Sequence, residues 1–303
     1  MKAKILIADK IHETAVKEAG KFAEVDCQFD ITPEELLKKI SKYDAIIVRS
    51  RTKVTAEVIK ASKLKVIGRA GVGLDNIDVK AAKAKGIEIV NSPEASTIAV
   101  AEHTIALMLS IMRRIPHAHQ SMQAGKWERK KFMGNELYNR TLGVIGFGRI
   151  GREVAMRAYA FGMSILAYDP NITHEDAREY NVKLVELDEL LRKSDIITLH
   201  VPAVESTIGL INTTRLKLMK KSAILVNASR GAVVDEKALA DALKNGVIAG
   251  AALDVYQKEP PEGSPLIGLD NVVLVPHIGA STDEAQRNAG QVVVDKIKNI
   301  LLK

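Results

Sequence analysis

Two successive series of short β-branched apolar runs, each run followed by a charged amphipathic stretch, constrain this chain more than any other feature. The first series occupies residues 1 to about 93, with runs at Ile5 to Ala8, Ala45 to Val48, Lys65 to Ile67 and Ile87 to Val90. Between the first two lies Thr32 to Ser41, a helix whose start is marked by Thr32 followed by Pro33. The second begins near Thr141, with runs at Leu142 to Ile145, Ile165 to Tyr168, Ile196 to Val201, Ala223 to Val226, Ala249 to Leu253 and Val272 to Val275. Strands that alternate with helices pair in parallel, because each parallel connection needs a crossover that the helix supplies. The expected fold is α/β, with two doubly wound parallel-sheet domains, the second a complete Rossmann-type nucleotide-binding sheet inserted in the first. An apolar-rich segment, Thr97 to Arg113, joins the two series, and an amphipathic helix follows Ser281. Packing of that last helix on the first sheet makes the chain cross between domains twice. The expected domains are then 1–94 with 282–303, and 95–281, with a hinged cleft between them.

Charge and composition narrow the partners. Lys and Arg number 44 against 37 Asp and Glu, a net +7 that favours anionic ligands. Aromatics make up only 4 % and do not interleave with the basic residues, so nucleic acid is not an expected partner. The longest stretch free of charged residues, Asn271 to Thr282, contains Pro276 and is too short to span a bilayer. The opening MKAKILIADK reads as a first strand and not a signal peptide. A single cysteine, Cys27, excludes an internal disulfide and any Cys-based zinc cluster, and fits a reducing cytoplasm. His117 and His119 have no third ligand nearby, so no metal site is expected.

Gly146-Phe147-Gly148-Arg149-Ile150-Gly151 directly follows the Leu142 to Ile145 run and opens a helix with apolar positions Val154, Ala158 and Phe161 and a stop at Gly162. Alone, GxGxxG is a weak signal; its strand-turn-helix setting strengthens it. Gly146 permits the tight turn, Gly148 the approach of a pyrophosphate, and Gly151 close packing of helix on strand, with the phosphates at a helix N-terminus. The next strand ends in Asp169, 18 residues past Gly151, where a carboxylate accepts hydrogen bonds from a ribose. A like charge there disfavours a 2′-phosphate, and no arginine follows, so NAD is the expected cofactor.

Three later strand ends carry ionisable groups: Asn227-Ala228-Ser229-Arg230, Asp254 to Glu259-Pro260, and Pro276-His277. Ligands of doubly wound sheets bind at the carboxyl ends of strands, which brings these to one crevice. Oxidation of a secondary alcohol needs a base for the hydroxyl proton, for which imidazole is suited near neutrality. His277 is that candidate, Glu259 the carboxylate that orients it, and Arg230 the fork for a substrate carboxylate. Each has a bland alternative: a hydrogen-bonding histidine, a turn residue, a surface ion pair.

Together these segments resemble the D-isomer-specific 2-hydroxyacid dehydrogenases over essentially the whole chain. Besides GFGRIG, the resemblance rests on NASRGAVVDE (227–236), AALDVYQKEP (251–260) and PHIGASTDEAQ (276–286). It implies a catalytic trio of Arg230, Glu259 and His277. It further implies cofactor contacts from Val72, Arg149, Ile150, Val201, Ala228, Ser229, Arg230, Asp254 (to the nicotinamide amide), His277, Ile278, Gly279 and Ala280. The stretches VRSRTKVT (48–55), VIGRAGVGLDNID (66–78) and GKWERKKFMGNEL (125–137) resemble the branch acting on a phosphorylated 2-hydroxy acid. Arg49, Ser50, Arg69 and Arg129 are the expected substrate-binding residues. The family further implies a homodimer paired through Thr97 to Met112. Members of this branch often continue into regulatory domains, whereas this sequence runs 26 residues past His277, so feedback of that kind is not expected. Competing expectations are a reductase of an unphosphorylated 2-oxo acid and an NAD-sensing co-repressor-like binding protein.

Overall fold

The fold was obtained as a computed structural model that describes residues 2–302. Packing divides the chain into two compact units, one running to Ala99 and resuming at Ala280, the other Val100–Gly279. The changes of unit thus fall at 99/100 and 279/280, against the expected 94/95 and 281/282. The first lies inside the opening turn of the helix Thr97–Met112.

In the first unit, β1 (Ala3–Ile7), β2 (Ala23–Cys27), β3 (Ala45–Val48), β4 (Val66–Arg69) and β5 (Glu88–Asn91) form a parallel sheet in the order β2-β1-β3-β4-β5. Alternate residues feed two cores. Leu6, Ile46, Val48 and Ile67 pack with Leu36, Ile40, Val58 and Ile59. Ile5, Ile7, Ile47 and Val66 pack with Ala15 and Ala19 and with Val293, Val294 and Ile297 of the closing helix Asp283–Leu301. Each of these buried Val, Leu and Ile side chains contributes roughly 1.5–3 kcal/mol, which ties the carboxyl-terminal helix to the first sheet as expected. The helix Pro33–Lys39 starts where Thr32 and Pro33 place it: Thr32 Oγ1 accepts from Glu35 N at 3.3 Å and the Glu35 carboxylate accepts from Thr32 N at 3.1 Å.

The second unit holds β6 (Thr141–Ile145), β7 (Ser164–Tyr168), β8 (Lys183–Leu184), β9 (Ile196–Leu199), β10 (Ile224–Asn227), β11 (Gly250–Leu253) and β12 (Val272–Leu274), ordered β12-β11-β10-β9-β6-β7-β8 and all parallel. Its strands are near-continuous apolar runs because helices cover both faces. Ile145, Leu199, Leu225 and Leu253 pack with Leu190, Leu191, Leu239 and Leu243; Leu142, Val144, Val226 and Ala252 pack with Met108, Ile111, Val154 and Ala158. Phe161, expected on the packed face of the helix Arg149–Ala160, is exposed instead, because it lies past the last helical turn. No helix among the described residues is long and apolar enough to cross a membrane.

Both sheets reverse their direction of growth once, between β1 and β3 in the first unit and between β6 and β9 in the second. Connections on either side of such a switch leave the sheet on opposite faces, opening a crevice at the carboxyl ends of the two strands. Asp9 with Arg49 lies at the first switch, and Gly146 with His200 at the second.

Candidate active site

At the second switch, the chain leaves β6 at Gly146 with φ +91°, its N–H donating to Tyr168 O at 2.9 Å. A Cβ on Gly146 would lie 2.5 Å from His200 O, and one on Gly151 2.2 Å from Gly146 O, so only glycine fits at either position. A Cβ on Gly148, by contrast, would meet nothing within 4 Å. Gly148 also begins the helix Arg149–Ala160 without a side-chain cap, so the first-turn N–H groups of Arg149, Ile150 and Gly151 have no capping side chain. A cradle that is tight behind and open in front fits a dinucleotide pyrophosphate.

Asp169 stands at the end of β7 beside this loop. Its Oδ2 accepts from Phe147 N and its Oδ1 from Asn171 N, each at 2.9 Å. The carboxylate expected to meet a ribose therefore also braces the glycine loop, with lone pairs to spare. Around it, Tyr168, Pro170, Ile172, Thr173, Leu184 and Val185 are among the residues lining a cavity of about 720 Å³. Arg152 packs over two aromatic rings that meet edge to face, 5.7 Å from the centre of Phe147 and 5.1 Å from that of Tyr180. After β9 come His200, whose buried ring is driven down to about 3 by desolvation and stays neutral, and Val201.

The remaining groups stand at the ends of the adjacent strands β10, β11 and β12. Asn227 Oδ1 accepts from Ser229 N at 3.0 Å and Ser229 Oγ at 2.9 Å, while its Nδ2 donates to Arg230 O at 2.9 Å. This buried amide shapes the Ala228-Ser229-Arg230 turn. Glu259 Oε2 lies 2.7 Å from His277 Nδ1, and its Oε1 accepts from Tyr256 N at 3.2 Å. With Nδ1–H given to the carboxylate, the neutral ring presents Nε2 as the free base. The loop carrying Glu259 is held by Glu236, which accepts from Gln257 N and, at 2.9 Å, from Ser264 Oγ. Tyr256 donates its hydroxyl to Val275 O at 2.9 Å; burial first, then the Asp254 charge, pushes this phenol up to about 12.

His277 itself has φ +52°, a left-handed conformation that costs a non-glycine residue about 1–3 kcal/mol and persists only where neighbours enforce it. Asp254 does so. Its carboxylate, 1 % exposed, accepts from Ile278 N at 2.7 Å and Gly279 N at 2.9 Å, the two amides that follow the bend. His103 Nε2 lies 3.3 Å from Asp254 Oδ1. Glu236, Asn227, Tyr256 and His103 carry no local sequence signal of their own for these roles. Asn227, Glu236 and Tyr256 lie within quoted motifs, but His103 is 151 residues before Asp254 and sits in an apolar helix.

Not every expected residue belongs to this unit. Val72, Arg49, Ser50, Arg69 and Ala280 lie in the first unit, where Val48 and Arg69 are register partners on β3 and β4 and Arg49 follows directly. Arg129 opens a short turn, Arg129–Phe132, that lines a cavity of about 500 Å³ with Trp127, Glu128, Lys130 and Lys131. The helix Thr97–Met112, expected to pair two subunits, turns much of its surface inward: Ala101, Ile105, Leu107, Met108 and Ile111 are buried in the second unit's own core.

Glycine cradle, acidic strand end and histidine–carboxylate pair together define an NAD-dependent dehydrogenase class, and the chain belongs to the D-isomer specific 2-hydroxyacid dehydrogenases: residues 105–279 match that family's NAD-binding domain. It is 55 % identical over 300 residues to the D-3-phosphoglycerate dehydrogenase of Methanocaldococcus jannaschii and 54 % identical over 300 residues to that of Archaeoglobus fulgidus. In each case the match spans 98 % of this chain and 57 % of the relative's own length. Among solved structures, the D-lactate dehydrogenase of Aquifex aeolicus complexed with NAD and lactic acid superposes with a TM-score of 0.85 at 33 % identity, over 97 % of this chain and 94 % of that one.

Proposed function

We propose that this chain oxidises D-3-phosphoglycerate to 3-phosphohydroxypyruvate with NAD, the reaction that opens serine synthesis. The observation that carries the chemistry is the 2.7 Å contact between His277 Nδ1 and Glu259, which leaves Nε2 to act. The substrate follows from the identity to phosphoglycerate dehydrogenases. When bound, the nicotinamide supplies the hydride acceptor, and Gly146, Gly148, Arg149, Ile150, Gly151, Asp169, Val201, Ala228, Ser229, Asp254 and the His277–Gly279 backbone are the groups of the second unit that hold the dinucleotide. His277 Nε2 takes the proton of the substrate hydroxyl. Glu259 holds the ring in that tautomer and stabilises it once charged, and Arg230 grips the substrate carboxylate and polarises the carbonyl that forms. Arg49, Ser50 and Arg69 bind the phosphate end, and Val72 and Ala280 complete the cofactor contacts.

The working protein is a cytoplasmic homodimer in this reading. Ile115, Met122, Trp127, Met133 and Tyr138 are all exposed, an apolar concentration more than a monomer needs on one segment. Arg129 lies within that segment and supplies a cation to the partner's substrate. Initial rates with 2-hydroxy and 2-oxo acids, phosphorylated and not, test the substrate; preference for an unphosphorylated acid overturns it. Sedimentation at micromolar concentration tests the dimer, and a monomer there removes the role of Arg129 in trans.

A further inference from the structure

Asp9 follows β1 at the first unit's switch point, and its carboxylate is 3 % exposed. Four donors converge on it, all from one loop forty or more residues away. Oδ2 accepts from Arg49 N at 2.6 Å and Thr52 N at 3.2 Å; Oδ1 accepts from Thr52 Oγ1 at 2.7 Å and Arg51 Nε at 3.1 Å. From the other side Asn76 Nδ2 donates to Arg49 O at 2.8 Å and Thr52 O at 2.6 Å. The backbone at both ends of the loop is thus pinned, its N–H groups by Asp9 and its carbonyls by Asn76. Arg51 is fastened as well, donating to Ala8 O at 2.9 Å and to Phe29 O. The side chain of Arg49 has no such engagement among the described residues, although its own N–H and C=O are both held.

We infer that Asp9 is a positioning residue, whose buried carboxylate templates the Arg49–Thr52 loop so that the Arg49 guanidinium is aimed at an anionic substrate. The functional half of this inference rests on the phosphoglycerate reading above. Burying a carboxylate is costly unless it is fully hydrogen-bonded, and here four donors meet that requirement, two of them backbone N–H groups that no side-chain change can remove. The switch point is where a doubly wound sheet presents ligands, so the carboxylate occupies the position from which an anion would otherwise be bound by the loop amides. Recognition then falls to a side chain. A negative charge held inward makes the loop rigid while Arg49 reaches outward from it.

The test is a double-mutant cycle of Asp9→Ala and Arg49→Ala, read by steady-state kinetics, NADH fluorescence titration and amide hydrogen exchange. Asp9→Ala is expected to raise KM for phosphoglycerate about tenfold or more, the worth of one charge-assisted contact, with kcat and NADH affinity changed less than about threefold. The double variant is expected to resemble Arg49→Ala alone, because a misaimed side chain that is already gone costs nothing further. Full additivity, or an unchanged KM in a folded Asp9→Ala protein, overturns the inference. Should Asp9→Ala fail to fold, Thr52→Val removes one donor only and is expected to raise KM about two- to fivefold; no rise overturns the inference equally. Exchange at the Arg49 and Thr52 amides needs no turnover: faster exchange in the Asp9 or Thr52 variant upholds the template even if wild type fails to oxidise phosphoglycerate, which would fell the functional reading alone, and unchanged exchange rejects the template.

Discussion

The two sheets solve the same topological problem with opposite chemistry at their switch points. Between β6 and β9 the second unit places glycines, so backbone N–H groups at a helix start are left for an anion to bind. Between β1 and β3 the first unit places a carboxylate, Asp9, which follows β1 and accepts from amides of the loop after β3. One crevice is lined by glycine backbone; the other holds a buried carboxylate, and in the proposed reading recognition there falls to Arg49. A shared fold therefore says where ligands bind but not which groups bind them.

The largest effect should come from the second unit's chemistry. His277→Ala is expected to lower kcat roughly 10²- to 10⁴-fold while NADH titration stays near wild type, since in the proposed mechanism the imidazole moves a proton and only the backbone of this residue meets the dinucleotide. Turnover at the wild-type rate would show that the Glu259–His277 pair is a structural contact.

Next in size is a direct attack on the difference between the two crevices. Gly146→Ala puts a Cβ 2.5 Å from His200 O at φ +91°, and the backbone must shift to accept it. The expected result is a loss of about 1–3 kcal/mol in stability and at least tenfold in NADH affinity, with the Arg49 loop's hydrogen exchange untouched. Equal NADH affinity would mean that the cradle is not the cofactor site. Asp169→Ala should be milder: NAD binds several-fold more weakly, with loss of the ribose contact and of the brace on Phe147 N, while NADP loses less. If both cofactors weaken equally, Asp169 does not select between them.

Much of this contrast could be read from the chain before its fold was known, and the parts that could not have a common cause. The glycine motif and Asp169 are local patterns, legible because each follows an apolar run directly, and Arg230, Glu259 and His277 because each lies in the loop that such a run opens. β2 was not legible: Ala23-Glu24-Val25-Asp26-Cys27 carries two acids and lies at the sheet edge, so nothing apolar marks it. β8 has only two residues. Asp9 and His103 escaped because their meaning lies in partners forty and 151 residues away, to which no spacing rule points. Charges that organise loops from within are invisible until the loops meet them.

At the amino ends of the switch strands the two units become alike, and the smallest effect concerns this likeness. Asp44 precedes β3 and its Oδ2 accepts from Lys4 N of β1 at 2.9 Å; Asp195 precedes β9 and its Oδ2 accepts from Thr141 N of β6 at 2.8 Å. Among the described residues only Asp195 adds an ion pair, with Lys220 Nζ 2.8 Å from Oδ1. Burial works to raise the Asp195 pKa, but the Lys220 contact and the Thr141 N–H outweigh it and hold the carboxyl below its usual range. A depressed folded-state pKa contributes stability above the unfolded value, near 3.9, and loses it as pH falls through the lower folded value. Asparagine keeps an oxygen for the strand N–H at either site. Asp195→Asn is therefore expected to cost about 1 kcal/mol or less at pH 7, through the half-exposed pair, and more than Asp44→Asn does. The gap should narrow as denaturant melts are repeated from pH 5 down toward 3, and shrink with added salt. If Asp44→Asn costs as much at pH 7, or if the Asp195→Asn deficit persists at pH 3, the ion pair is not what distinguishes the two sheets at this end.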